Sequence, residues 1–215
     1  MRRRTFLSVA AALTAGVVLG CSPLGPQKDL TQFYVLTSLA EEEPPQGMRP
    51  AGELSFGVGP VDFAEYLDRP QIVTRMSENQ VEFSDVGRWA GPLRRSLARA
   101  VAENLSMLLE TTQISNYPWF ESQRPDFALR MHVIRFEWNA AGYAELLVGW
   151  TVVDRVGDER EWAVSRFTQP ADVATTDAQT AALSRTLQQF SELVAGEIRR
   201  LLAARSMLEE PAREQ

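Results

Sequence analysis

Apolar and polar residues alternate in several short stretches, which is the pattern of half-buried β-strands. These stretches lie at residues 33–36, 54–58, 72–73, 81–83, 127–138, 144–152 and 162–167. The second is expected to end at the turn signal Gly59-Pro60. After Val133 the apolar phase slips by one residue, which predicts a β-bulge or a strand buried on both faces. Short connections between the last three stretches predict an antiparallel meander.

Two segments instead carry the spacing of helices. Leucine and valine recur every four residues from Leu93 to Leu109, so a helix is predicted from about Trp89 to Glu110, with Pro92 in its first turn. Apolar residues three and four apart predict a longer helix over 178–205. Its narrow apolar seam fits packing within the domain or against a coiled-coil partner.

The N-terminus has the pattern of a secretory signal. Three arginines precede an uncharged apolar run from Phe6 to Leu19, and Gly20 separates that run from Cys21. The run has about 14 residues, whereas a membrane-spanning helix needs about 20, so cleavage is favoured over a membrane anchor. The ending Val18-Leu19-Gly20-Cys21 resembles a lipobox. That resemblance implies cleavage before Cys21, then a diacylglycerol on its thiol and an acyl chain on its amino group.

The residues around the signal also indicate to which membrane the lipoprotein is delivered and by which export route. Ser22 follows the cysteine where aspartate tends to retain lipoproteins in the inner membrane. The lipobox resemblance therefore implies an anchor at the periplasmic face of the outer membrane. The stretch Arg3-Arg4-Thr5-Phe6-Leu7 also resembles a twin-arginine export motif. Because short arginine runs are ordinary in general secretion too, both export routes stay open.

The net charge limits the kinds of partner, and the cysteine count limits the covalent links that the chain can form. The net charge is −6, and the signal holds three arginines but no acid, so the mature chain is more acidic still. Such a surface repels phosphate backbones, which argues against nucleic acid. Cys21 is the one cysteine, so acylation would leave no thiol for a disulfide and stability must come from packing.

Candidates for catalytic or metal chemistry are few. The one histidine, His132, lies within a predicted strand, where a partly exposed surface position is the ordinary interpretation. No G-x-S-x-G elbow or glycine-rich phosphate loop accompanies it. Asp62, Glu65 and Asp68 do not have the spacing of a calcium loop. The sequence therefore predicts a protein that is not an enzyme and binds no metal or other cofactor besides its acyl chains.

Four blocks of the chain resemble the paraquat-inducible protein C (PqiC) family, the auxiliary lipoproteins of ABC-type transporters. They are Phe33-Tyr34-Val35-Leu36, the stretch 58–75, the stretch 88–105 that opens on Arg-Trp-Ala-Gly-Pro-Leu, and the stretch 133–150 that opens on Val-Ile-Arg-Phe-Glu. The most specific block is Tyr-Leu-Asp-Arg-Pro at 66–70. Gly91 departs from the acidic residue expected there, which leaves the resemblance standing.

The resemblance implies an α/β (α+β) domain, with two main helices on a mixed, partly antiparallel sheet. It also implies a non-catalytic accessory role in lipid transport between membranes, as a homo-oligomeric ring. The implied partners are an MCE-type substrate-binding protein, an inner-membrane permease and a cytoplasmic ATPase. The expected division is a signal peptide at 1–20, a lipidated linker at 21–31, the family domain at 32–205 and a flexible tail at 206–215.

The turn at 66–70, which lies in a block that resembles the family, supplies the candidate partner-binding residues Tyr66, Asp68, Arg69 and Pro70. Asp68 and Arg69 are read as a charged pair set against a rigid proline turn, and loops with specific polar residues commonly carry recognition. A purely structural role for the turn is the competing interpretation. Two other functions stay open: a structural envelope lipoprotein or assembly chaperone, and a periplasmic hydrolase built around His132.

Overall fold

A computed structural model describes residues 28–42, 55–171 and 175–209 of the chain. The predicted signal peptide, Cys21, most of the linker and the end of the predicted tail lie outside these ranges. Contacts between residues divide the chain into two units, Met1–Leu30 and Thr31–Gln215. The fold described below is that of the second unit.

The strands are β1 (Gln32–Tyr34), β2 (Phe56–Phe63), β3 (Gln71–Ser77), β4 (Gln80–Trp89), β5 (Ile114–Asn116), β6 (Phe127–Asn139), β7 (Tyr143–Asp154) and β8 (Glu159–Pro170). The helices are α1 (Leu39–Glu42), α2 (Leu93–Leu108) and α3 (Thr176–Glu209). Two single 3-10 turns, Glu65–Leu67 and Glu121–Gln123, complete the described elements.

One eight-stranded sheet is built around β6. On one side β6 pairs antiparallel with β7, which pairs antiparallel with β8. On its other side β6 runs parallel first to β2 and then, near its end, to β3. The β3–β4 hairpin carries β1, and β2 carries β5, both in parallel. The expected α+β fold, a mixed sheet with two main helices in one domain, is therefore confirmed.

Both long helices pack their apolar stripes onto the sheet and onto each other. The predicted seam of the last helix is buried within the domain, through Leu183, Leu187, Phe190, Val194 and Ile198. Burial of this seam inside the domain accounts for its spacing without a coiled-coil partner. None of the helices in the described ranges has a stretch long and apolar enough to cross a bilayer.

The phase slip after Val133 is confirmed as a bulge, because the β6–β7 register shifts between Val133 and Arg135. The predicted end of the second strand is wrong. β2 passes through Pro60 and resumes its pairing with β6 at Val61, after a register shift that accommodates the missing proline N–H. Tyr117 donates its N–H to the Val58 carbonyl at 2.9 Å on the other edge.

The predicted start of the first long helix is also wrong. Residues up to Trp89 belong to β4, because β1 pairs with them in parallel. The helix begins only at Leu93, since Pro92 precedes it with an extended backbone. The last helix continues beyond the predicted end at Arg205 to Glu209.

Candidate partner-binding site

The turn at 66–70 connects β2 to β3 and is fixed at both ends. It opens on the single 3-10 turn Glu65–Leu67, whose Leu67 side chain is buried in the core. At its far end the Pro70 carbonyl accepts the N–H of Trp89 from β4 at 2.7 Å. The turn is therefore a rigid connection, and its exposed side chains are held in fixed positions.

Tyr66 lies half-buried in this turn, with its hydroxyl directed inward. The hydroxyl donates to the Ile134 carbonyl at 3.2 Å and accepts from Nη2 of Arg75 at 3.1 Å. Burial, together with the nearby Glu137 carboxylate, raises the pKa of Tyr66 to about 12. The hydroxyl thus joins the turn to β6 and β3, and it is not free to contact a partner.

Asp68 does not pair with Arg69, so the predicted charged pair is wrong. Its carboxylate accepts instead from Nη2 of Arg94, at the start of α2, at 2.9 Å. The same guanidinium lies 3.3 Å from Asp62 and donates to the Val61 carbonyl. Adjacent side chains in a tight turn point apart, so each takes a partner distant in sequence. Arg94 therefore joins the candidate turn to helix α2.

Arg69 stacks on an aromatic ring of the β3–β4 hairpin. Its guanidinium carbon lies 3.8 Å from the centroid of the Phe83 ring, which is a cation–π geometry. Phe83 and Pro70 are both exposed, while Arg69 is half-buried. Together they place one charge and one ring side by side at the surface, a composition that is enriched where proteins bind one another. We call Arg69, Phe83 and Pro70 the arginine platform.

A groove of about 690 Å³ lies on the other side of Asp68. The start of α2, the second half of β2 and the end of β5 enclose it, and its walls include Val61, Asp68, Arg94, Arg95, Arg99 and Tyr117. Its volume is within the range of ligand sites. Its walls combine the exposed Tyr117 ring with three arginines, of which Arg94 and Arg99 already pair with carboxylates of this chain.

Sequence reasoning missed most of this groove. No pattern in the sequence singles out the three arginines or the segment around Tyr117 and Pro118 as parts of one site. The available signal was an aromatic residue next to proline in a polar stretch, where a partly exposed ring is common at interfaces. Only Asp68 belongs both to the predicted site and to the groove.

His132 is an exposed residue near the middle of β6. Its neighbours across the sheet are Asp62 on β2 and Gly149 on β7. The Asp62 carboxylate is engaged by Arg94, and it does not orient the imidazole in any hydrogen bond between described residues. No group of three or more His, Cys, Asp or Glu in the described part of the chain could hold a metal ion.

Residues 34–195 match the family of ABC-type transport auxiliary lipoprotein components. Because the match covers more than half of the sequence, the chain belongs to this family. None of the curated proteins is significantly similar to it. The predicted resemblance to the PqiC-like auxiliary lipoproteins is thereby confirmed at the level of the family.

Two crystal structures share the fold at low sequence identity. One is a protein of Xanthomonas campestris, 19% identical, with a TM-score of 0.67 over 82% of this chain and 99% of that chain. The other is an uncharacterised protein, 20% identical, with a TM-score of 0.65 over 78% of this chain and 98% of that chain. At such identities the two structures establish the fold and leave the function to other observations.

Proposed function

We propose that this chain is an accessory component of an MCE/ABC-type system for lipid transport between membranes. Acyl chains on Cys21 anchor it at the periplasmic face of the outer membrane, as the lipobox and Ser22 indicate. It acts there as a docking module without catalysis. Family membership supports the transport role, and the surface position of His132 speaks for docking over hydrolysis.

The arginine platform is the observation that carries the docking proposal. It stands beside the Asp68–Arg94 pair and the groove, on a turn whose backbone is held at both ends. Binding to a preformed surface loses little conformational entropy, which favours affinity. We assign this surface to the MCE-type substrate-binding protein, whereas the permease and the ATPase are more distant members of the same system. Further copies of this chain would complete a ring.

The tether limits where docking takes place. From Cys21 to Phe33 the chain spans twelve residue steps, which reach at most about 40 Å when fully extended. The domain therefore stays close beneath the outer membrane, and its partner must extend to it across the periplasm.

Cys21→Ser is expected to leave an unprocessed or mislocalised precursor, because the serine hydroxyl does not replace the thiol that receives the diacylglycerol. Palmitate labelling and membrane fractionation measure the loss directly. A variant that is still labelled and still floats with the outer membrane would contradict the anchor.

Copurification of the wild-type lipoprotein with a permease and an MCE protein supports transport, whereas copurification with outer-membrane assembly factors alone favours the chaperone alternative.

Arg69→Ala is expected to weaken partner binding by about 1–4 kcal/mol, the usual cost of losing an interface anchor. The free energy of unfolding should change less, by about 0.5–2 kcal/mol, since the Arg69 cation–π contact is partly buried. Pull-down of the partner and thermal unfolding give the two quantities. Arg130→Ala, at an exposed position of β6, is the matched control and should leave both unchanged.

The opposite pattern would overturn the assignment of this surface. If Arg69→Ala lowers the melting temperature strongly while each folded molecule still binds the partner normally, the turn is structural. Equal weakening by Arg69→Ala and Arg130→Ala would indicate a general effect of positive charge and would likewise exclude a specific platform.

A further inference from the structure

Two apolar side chains face solvent at the N-terminal edge of the sheet. Phe33 is 67% exposed and Val35 is 58% exposed, although the residues that alternate with them, Tyr34 and Leu36, turn inward. The regular alternation means that one side of this segment belongs to the core and the other does not. The family match begins at residue 34 and does not explain why the outer side is apolar.

Neighbouring residues of β4 extend the apolar surface. Phe33 is in register with Arg88 in the parallel β1–β4 pair, so the two side chains lie on the same face. Val86 is exposed and lies two residues before Arg88, which places it on that face as well. We call Phe33, Val35 and Val86, with Arg88 beside them, the β1 patch. It combines apolar area with one positive charge.

The segment that directly follows the β1 patch is held by hydrogen bonds to both long helices. The Leu36 carbonyl accepts from Nη2 of Arg99 on α2 at 2.8 Å. The N–H of Thr37 donates to the Ser184 hydroxyl on α3 at 3.2 Å, and the N–H of Leu39 donates to Asn104 Oδ1 on α2 at 2.8 Å. The patch is therefore a fixed feature of the domain surface.

The short tether places this patch next to the bilayer. Twelve residue steps separate Cys21 from Phe33, which limits their separation to at most about 40 Å whatever the conformation of the chain between them. Once the acyl chains hold the protein on the membrane, a second contact between the domain and the bilayer is intramolecular and has a high effective concentration. Even a small apolar surface can then stay bound to the membrane. Among the exposed large apolar side chains of the described ranges, Leu30 alone lies nearer to the cysteine in sequence.

We propose that the β1 patch docks on the surface of the bilayer that holds the acyl chains. Phe33 and Val35 enter the interface between headgroups and acyl chains, and Arg88 lies among the lipid phosphates. The inference rests on the proposed lipid anchor at Cys21. Its consequence is orientation, because an anchor and a docked patch together prevent the domain from rotating freely beneath the membrane.

The single cysteine of the chain makes a clean test available. Once the Cys21 thiol is acylated, a cysteine introduced elsewhere is the one free thiol. The acylated full-length protein carrying Val35→Cys is labelled with a nitroxide and incorporated in vesicles of phosphatidylethanolamine and phosphatidylglycerol. Collision of the label with a water-soluble nickel chelate and with oxygen is then measured. Val156→Cys is the matched control, at a valine that is 77% exposed in the β7–β8 turn.

The label at residue 35 should collide several-fold less with the nickel chelate than the label at residue 156, and more with oxygen. Adding Phe33→Glu should restore the nickel collisions. Equal nickel accessibility at the two positions would overturn the inference, and so would protection at residue 156. Protein that does not float with the vesicles would overturn the lipid anchor itself, whereas floating protein with an exposed label contradicts the β1 patch alone.

Discussion

Arg75→Ala is expected to lower the free energy of unfolding by about 3–5 kcal/mol, the usual cost of leaving a buried charge without its partner. The Glu137 side chain is 0% exposed, and Nε of Arg75 donates to its Oε1. Burial alone lowers the pKa of Arg75, but the hydrogen bonds and negative charge of Glu137 outweigh burial and raise that pKa above its usual value. Arg75 is therefore positively charged at neutral pH.

Urea denaturation of the wild type and the variant at neutral pH measures this effect. Arg124→Ala is the surface control, because it breaks the exposed Arg124–Glu121 pair and should cost about 0–1 kcal/mol. The double variant Arg75→Met with Glu137→Leu should recover most of the lost stability, since apolar replacement of a buried ion pair is often neutral or stabilising. A cost for Arg75→Ala no larger than that for Arg124→Ala would mean that water reaches Glu137.

The Arg75–Glu137 ion pair lies beside a second buried carboxylate, which belongs to the neighbouring strand. Glu137 on β6 is directly opposite Glu145 on β7, and both are buried. Like charges in this position destabilise a strand pair unless cations separate them. Glu145 has its own arginines, Arg135 at 3.2 Å and Arg166 at 3.5 Å. Each carboxylate therefore has its own arginine partners, and these offset the repulsion between Glu137 and Glu145.

Sequence reasoning succeeded where a feature depends on residues close together in the chain. The bulge after Val133 was visible because side chains alternate with a period of two, so a slip of one residue must change the buried face. The meander and the two helix stripes follow from the same kind of local periodicity. They agree with the α+β domain that the family resemblance implies, and the structure confirms that fold class.

The predictions that failed concern features that depend on contacts between residues distant in the sequence. The extension of β4 to Trp89 requires β1, whose three residues lie more than fifty positions earlier. Asp68 finds Arg94, 26 residues away, in place of its neighbour Arg69. Likewise Arg75 and Glu137 are 62 residues apart. No local sequence pattern indicates such pairs. The sequence therefore predicts the turn at 66–70 but not the side chains that contact it.

Phe190→Ala is expected to cost about 3–5 kcal/mol of unfolding free energy, the range for removing a large core side chain. Phe190 is 1% exposed on α3, and its ring meets Trp150 and Phe167 edge-on at centroid distances of 6.3 and 6.0 Å. Alanine is the better helix former, so helix propensity opposes the loss and cannot explain it. The loss would come from the cavity left between α3 and the β7–β8 pair.

Leu193→Ala, one turn further along α3, separates the two contributions because Leu193 is 38% exposed. It changes helix propensity in the same direction but by less, removes a side chain that is not in the core, and should shift stability by no more than about 1 kcal/mol. Unfolding followed by tryptophan fluorescence and by circular dichroism should give coincident transitions for all three proteins. If Phe190→Ala instead cost as little as Leu193→Ala, α3 would not be anchored on the sheet through this ring. The stability of the domain would then rest on the rest of the helix seam, from Leu183 to Ile198.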